Sequence, residues 1–145
     1  VTSFLVAYFH NHLVTLAHIG DSRIYLWREN VLNQLTVDHT VIQERIEKGE
    51  ISAAEAASDD YRGVLTRALG VDSVVEVDMR EVSIKAGGIF LLCSDGCYDM
   101  LAYDDRVAIM SVCQEDPQQL VRQLVQHANE NGGFDNISAA VVRVE

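Results

Sequence analysis

Ile89–Cys93 (IFLLC) is the stretch that most constrains this chain. Five apolar residues follow one another without a polar break, too few for a stable helix, and Asp95-Gly96 turns the chain just beyond them. Such a run reads as a buried central strand of a sheet. The other strands are then sought around it. Residues 1–9 (VTSFLVAYF) are rich in β-branched and aromatic side chains, His10-Asn11 supplies a turn, and residues 13–19 resume the pattern. After Gly20-Asp21-Ser22, residues 24–27 set Ile24 and Leu26 on one face and Tyr25 and Trp27 on the other, and Glu29-Asn30 turns into residues 31–35. Loops this short predict hairpins, hence antiparallel pairing.

Helical patterns are interleaved with these strands. Thr40 and Gln43 form a capping-box pattern before Val41, Ile42, Arg45 and Ile46, with Gly49 placed to stop the helix. Ser52 and Glu55 form a second box opening a short helix, and residues 58–63 (SDDYRG) read as an exposed, mobile excursion. Residues 74–82 predict a half-exposed strand, with Val75, Val77 and Met79 opposing Glu76, Asp78 and Arg80. Residues 104–113 read as helix. Asp116-Pro117 starts another, whose apolar stripe of Leu120, Val121, Leu124, Val125 and Ala128 runs to Gly132-Gly133. Residues 137–144 form a last strand. With no repeat and no linker, the 145 residues predict one α+β unit.

Eleven Lys and Arg stand against 22 Asp and Glu, a formal net charge of −11. Binding to a nucleic-acid backbone needs a basic face, so that class is excluded. A phosphate-bearing substrate would require positive charge from another source. The three cysteines, Cys93, Cys97 and Cys113, are odd in number and lack CxxC spacing, which argues against a disulfide framework or a zinc knuckle. Free thiols fit a reducing, cytoplasmic setting. No apolar run approaches the roughly 18–20 residues that span a bilayer.

Three aspartates share a local setting: Asp21 in IGDSR, Asp95 in CSDGC and Asp135 in GFDNI, each at the beginning or end of an apolar strand beside a small residue. Hard oxygen donors gathered at a sheet rim favour Mg²⁺ or Mn²⁺ over zinc. Each taken alone is more readily an ordinary turn residue, and spacing alone does not show that the three meet.

The ordered series AHIGDSRIYLW, LTVDHT, VLTRALG, IFLLCSDGCYDML and GGFDNISAAVV resembles the metal-dependent protein serine/threonine phosphatases of the PP2C (PPM) family, bacterial type, nearly end to end. The resemblance implies an α+β sandwich of two antiparallel sheets flanked by helices, with residues of about 40–70 forming a flap. It implies that Asp95 and Asp135 are ligands of a binuclear Mn²⁺ or Mg²⁺ centre, that Asp21 serves a third, weaker metal, and that a metal-bridging water attacks phosphoserine or phosphothreonine. Phosphoproteins, the targets of a Ser/Thr kinase, are the implied substrates. The family's NxD-type and DGxGG-type motifs are not found in these 145 residues. The expectation is therefore a C-terminal portion of the catalytic domain, inactive by itself. A non-catalytic module retaining the same fold is the alternative.

Other polar residues carry plainer expectations. Arg23 is expected to be structural, and Ser22 and Ser94 to make turn hydrogen bonds, since neither has the surroundings of a nucleophile. His39 is expected to cap or pack, His18 to lie in the core, His10 and His12 to belong to a surface hairpin, and His127 to face solvent. Arg62, in the excursion of the flap, and Arg67 near it are the candidate contacts to a phosphoprotein substrate, a merely variable surface loop being the alternative.

Overall fold

Left-handed residues at two turns organise the first four strands. Asn11 (φ 53°) joins β1 (Phe4–His10) to β2 (Leu13–Ile19). Glu29 and Asn30, with φ of 54° and 62°, join β3 (Arg23–Arg28) to β4 (Val31–Gln34). Two consecutive positive φ angles match the right-handed twist of a hairpin, which is why a Glu is tolerated there beside Asn. The chain continues through α1 (Val41–Glu47), α2 (Ala53–Ala56), β5 (Asp78–Ser83), β6 (Ile89–Cys93), α3 (Asp95–Tyr98), α4 (Tyr103–Cys113), α5 (Pro117–Glu130) and β7 (Ala139–Arg143). The computed structural model describes residues 1–145. They form two compact units, Val1–Ser22 with Val37–Val82, and Arg23–Thr36 with Ser83–Glu145. No helix is long and apolar enough to cross a membrane.

The first unit carries a sheet of order β1-β2-β5. β1 and β2 pair antiparallel from Phe4↔Ile19 to His10↔Leu13. Val14, Leu16 and His18 of β2 alternate inward and are buried, as the period of two requires. Thr40 caps α1 by accepting the Gln43 N–H, and Gly49 (φ +72°) follows that helix. Ser52 and Glu55 form a complete capping box, so α2 holds its four residues despite burying none. The excursion at 58–63 is a series of turns pinned by Asp59, whose carboxylate accepts from Arg45 (2.5 Å) and from the Tyr61 N–H (2.9 Å).

Two expectations need correction here. Gly20-Asp21-Ser22 does not close a hairpin, because β2 and β3 pair in different sheets. Gly20 has φ +102°, and a Cβ there would fall on the Ser3 side chain, so the turn leads the chain away from β2 rather than back along it. β5 also begins later than residue 74 and has the opposite facing: Met79 is 70% exposed while Asp78 is half-buried. The polar partners of Asp78, described below, outweigh the weak alternation of the valines.

The second unit contains the sheet β4-β3-β6-β7. β6 lies between β3 and β7, paired antiparallel with both, so the IFLLC run is indeed central. Tyr25, Trp27, Leu91 and Cys93 form a core with Met110, Leu120, Leu124 and Ala128 from the helices. Full burial of a side chain such as Leu124 contributes about 1.5–3 kcal/mol. Asp116 caps α5 by accepting the N–H groups of Gln118 and Gln119, with Pro117 in the first turn. Arg23 lies over the Tyr98 ring at 3.7 Å and donates to the Tyr25 hydroxyl, the structural role expected of it. All three cysteines are buried and free.

Candidate metal centre

The end of β6 and the approach to β7 are tied together by one hydroxyl. Ser94 Oγ donates to the Asn136 carbonyl (3.2 Å) and accepts the Ser138 N–H (3.0 Å), while Ser94 N–H donates to the Ser138 carbonyl (3.0 Å). The two segments approach so closely that a Cβ at position 96 would fall on the Asn136 carbonyl oxygen. Gly96 is needed for this approach, a reason stronger than turn formation.

These contacts place Asp95 and Asp135 as neighbours. Each carboxylate is braced by the next backbone N–H: Gly96 N–H to Asp95 Oδ1 at 2.9 Å, and Asn136 N–H to Asp135 Oδ1 at 2.7 Å. Asp95 opens α3, a one-turn helix that a turn reading of Ser94-Asp95-Gly96 misses. Burial raises the Asp95 carboxyl above its ordinary range, and the nearby charges of Asp135 and Asp99 raise it further, against the lowering effect of the Gly96 N–H. Like charges held together at partial burial oppose folding unless a cation joins them. The donor set is oxygen only, which suits Mg²⁺ or Mn²⁺.

Asp21 belongs to the first unit, where it is 9% exposed in the turn after β2. Beside it is a cluster that sequence patterns do not disclose. His39 and His18 are both buried, and their rings stack 4.5 Å apart at 13°. His39 Nδ1 accepts the Gly20 N–H (3.0 Å), and its Nε2 lies 2.7 Å from Asp78 Oδ2. Arg67 donates to the other Asp78 oxygen at 2.8 Å. Hydrogen bonding to His39 holds the Asp78 carboxyl below its ordinary range, with Arg67 adding to the effect. The donor atoms of His18, His39 and Asp78 lie within 4.8 Å of one another. Both ring nitrogens of His39 and both oxygens of Asp78 are already used, and Arg67 supplies the positive charge, so the cluster suits hydrogen bonding rather than a cation.

Arg62 is exposed in the turns after α2, with its guanidinium 3.4 Å from the Ala57 carbonyl. His10 meets Thr15 across the β1–β2 hairpin, and His127 bonds the Gln123 carbonyl one turn back on α5. The only histidine whose role exceeds expectation is His39.

Comparison with known proteins places this arrangement in a family. The serine/threonine phosphatase Stp of Listeria monocytogenes is 36% identical over 141 residues, 97% of this chain and 56% of that protein. The crystal structure of the Mycobacterium tuberculosis serine/threonine phosphatase PstP superimposes with a TM-score of 0.89 at 32% identity, over 96% of this chain and 58% of that one. A PstP catalytic domain in complex with two manganese ions matches with a TM-score of 0.79, also at 32% identity, over 96% of this chain and 57% of that one. The chain thus spans about half the length of the curated relatives it matches. The family profile described as protein phosphatase 2C matches residues 1–137, and the chain belongs to that family.

Proposed function

We propose that this chain is the metal-carboxylate portion of a protein serine/threonine phosphatase, with Asp95 and Asp135 holding Mn²⁺ or Mg²⁺ and Asp21 serving a further, weaker cation. The observation that carries the reading is the pair Asp95 and Asp135, crowded by the Ser94 and Gly96 contacts into a site whose charges repel. A bound metal supplies there a water of lowered pKa and a clamp for phosphoryl oxygens. The chain's own residues do the rest. The N–H groups of Gly96 and Asn136 orient the carboxylates, and the Ser94 hydroxyl fixes the distance between their segments. The positive charge that a protein of net charge −11 lacks for phosphate comes from the ions its carboxylates collect.

The substrates proposed are phosphoserine and phosphothreonine in proteins modified by a Ser/Thr kinase. Arg62 is exposed, and its fork can meet a phosphate or an acidic side chain of such a substrate. With about half of its relatives' length, the chain by itself is proposed to turn over little. Hydrolysis of a phosphopeptide and of p-nitrophenyl phosphate with Mn²⁺, by the full-length protein, tests the whole reading. Asp95→Asn and Asp135→Asn are expected to cost more than the roughly 10–100-fold that loss of a supporting contact costs. Wild-type turnover in either variant would overturn the assignment. Arg62→Ala should slow only the peptide reaction, and equal turnover of the 145-residue chain would refute its dependence on further sequence.

A further inference from the structure

We infer that His39, aligned by Asp78 and Arg67, is a positioning residue that sets the Gly20-Asp21 turn and through it the grip of Asp21 on a divalent cation. The inference rests on the proposed role of Asp21 as a ligand. Gly20 is clasped twice by one residue: its N–H donates to His39 Nδ1 (3.0 Å), and its carbonyl accepts the His39 N–H (3.0 Å). A backbone N–H can only donate, so Nδ1 carries no proton and the single ring proton sits on Nε2, pointing at Asp78. The carboxylate opposite Nε2 makes Nδ1 a stronger acceptor, the same polarisation by which supporting carboxylates tune metal-bound histidines. Here the polarised nitrogen holds a peptide rather than a metal.

The ring has little freedom to leave this position. His18 stacks on it and is itself bonded through Nε2 to the Val37 carbonyl at 2.9 Å, and His39 is 5% exposed. Arg67 bonds the second oxygen of Asp78, which prevents that carboxylate from rotating away. Gly20 sits at φ +102° with Ser3 against its Cα, so the peptide entering Asp21 has one orientation. The relay Arg67–Asp78–His39–Gly20 therefore connects the flap and β5 to Asp21 without touching the cation.

Manganese binding to the full-length protein, followed by equilibrium titration together with thermal unfolding, tests this. His39→Leu is expected to weaken the Asp21-dependent class of sites about tenfold or more while leaving the tighter class unchanged. His39→Asn, whose Oδ1 replaces Nδ1 as acceptor for the Gly20 N–H, should recover most of that loss even where its unfolding temperature stays lowered. Asp78→Asn should fall between them. If His39→Leu and His39→Asn shift the isotherm equally, or if His39→Leu lowers the unfolding temperature with no change in the weaker class, the inference is overturned. Asp21→Asn separates the two ideas: should it leave manganese binding intact, the ligand role of Asp21 fails, and the positioning role with it. Loss of the weaker class in Asp21→Asn but not in His39→Leu refutes positioning alone.

Discussion

Asp78 and Asp95 are both half-buried carboxylates at strand ends, yet their surroundings are opposite. Asp78 has each oxygen bonded by a side chain, His39 on one and Arg67 on the other, and its carboxyl is held low. Asp95 has a backbone N–H for support and acidic neighbours for company, and its carboxyl is pushed up. A carboxylate completed by protein donors is committed to structure. One crowded by its own kind is, on the function proposed above, the ligand of a cation. The contrast separates a carboxylate bonded by the protein from a proposed cation ligand, although both are half-buried.

The largest effect expected from breaking this comparison is on metal-linked stability. Mn²⁺ at a hundred times its dissociation constant should stabilise the folded chain by about 2.7 kcal/mol. The shift in unfolding temperature should vanish in Asp95→Asn and survive in Asp78→Asn. Equal shifts in both variants would erase the distinction between the two carboxylates.

Gly96→Ala comes next. The added methyl must displace the Asn136 carbonyl, at a cost of about 1–3 kcal/mol. Urea unfolding would measure it, and a neutral result would show that the two segments approach less closely than described.

Smallest is the loss in Asp78→Asn, about 1 kcal/mol, kept modest because Asp78 is 42% exposed. Its sign with pH is fixed by the lowered carboxyl. The stabilisation is complete above the unfolded value near 4 and disappears as pH falls through the still lower folded value. Wild type and Asp78→Asn should thus converge in acid. A difference that persisted below that range would mean that the Asp78 charge contributes nothing.

Much of the fold is legible because its causes are local. The apolar run of β6, the Asp116-Pro117 opening of α5 and the Ser52-Glu55 box each carry their instructions within a few residues. Where the cause is distant, local pattern misleads. The facing of β5 follows Asp78, whose partner His39 lies far back in the chain, and no periodicity within residues 74–82 records that attraction. The three-residue link after β2 has the length of a hairpin loop, but its strands find partners elsewhere. In the candidate site, Asp95 and Asp135 are singled out by the motifs that carry the family resemblance, which spacing alone does not do. The reason for Gly96 is not legible there, because it depends on the carbonyl of Asn136. The role of His39 shows least of all, since Gly20, His39, Arg67 and Asp78 meet only after folding.

The position of β3 has a consequence for the order in which the protein is made. Its residues Ile24 to Trp27 are entirely apolar or aromatic and buried, and their pairing with β4 is available at once. The other edge of β3 pairs with β6, which leaves the ribosome only after α1, α2 and β5. During synthesis the hairpin therefore waits with one sticky edge open, the condition under which nascent chains aggregate or recruit chaperones. Closure of that sheet depends on a distant contact, and such contacts make folding slow. The acidic surface, with its net charge of −11, keeps waiting chains apart from one another.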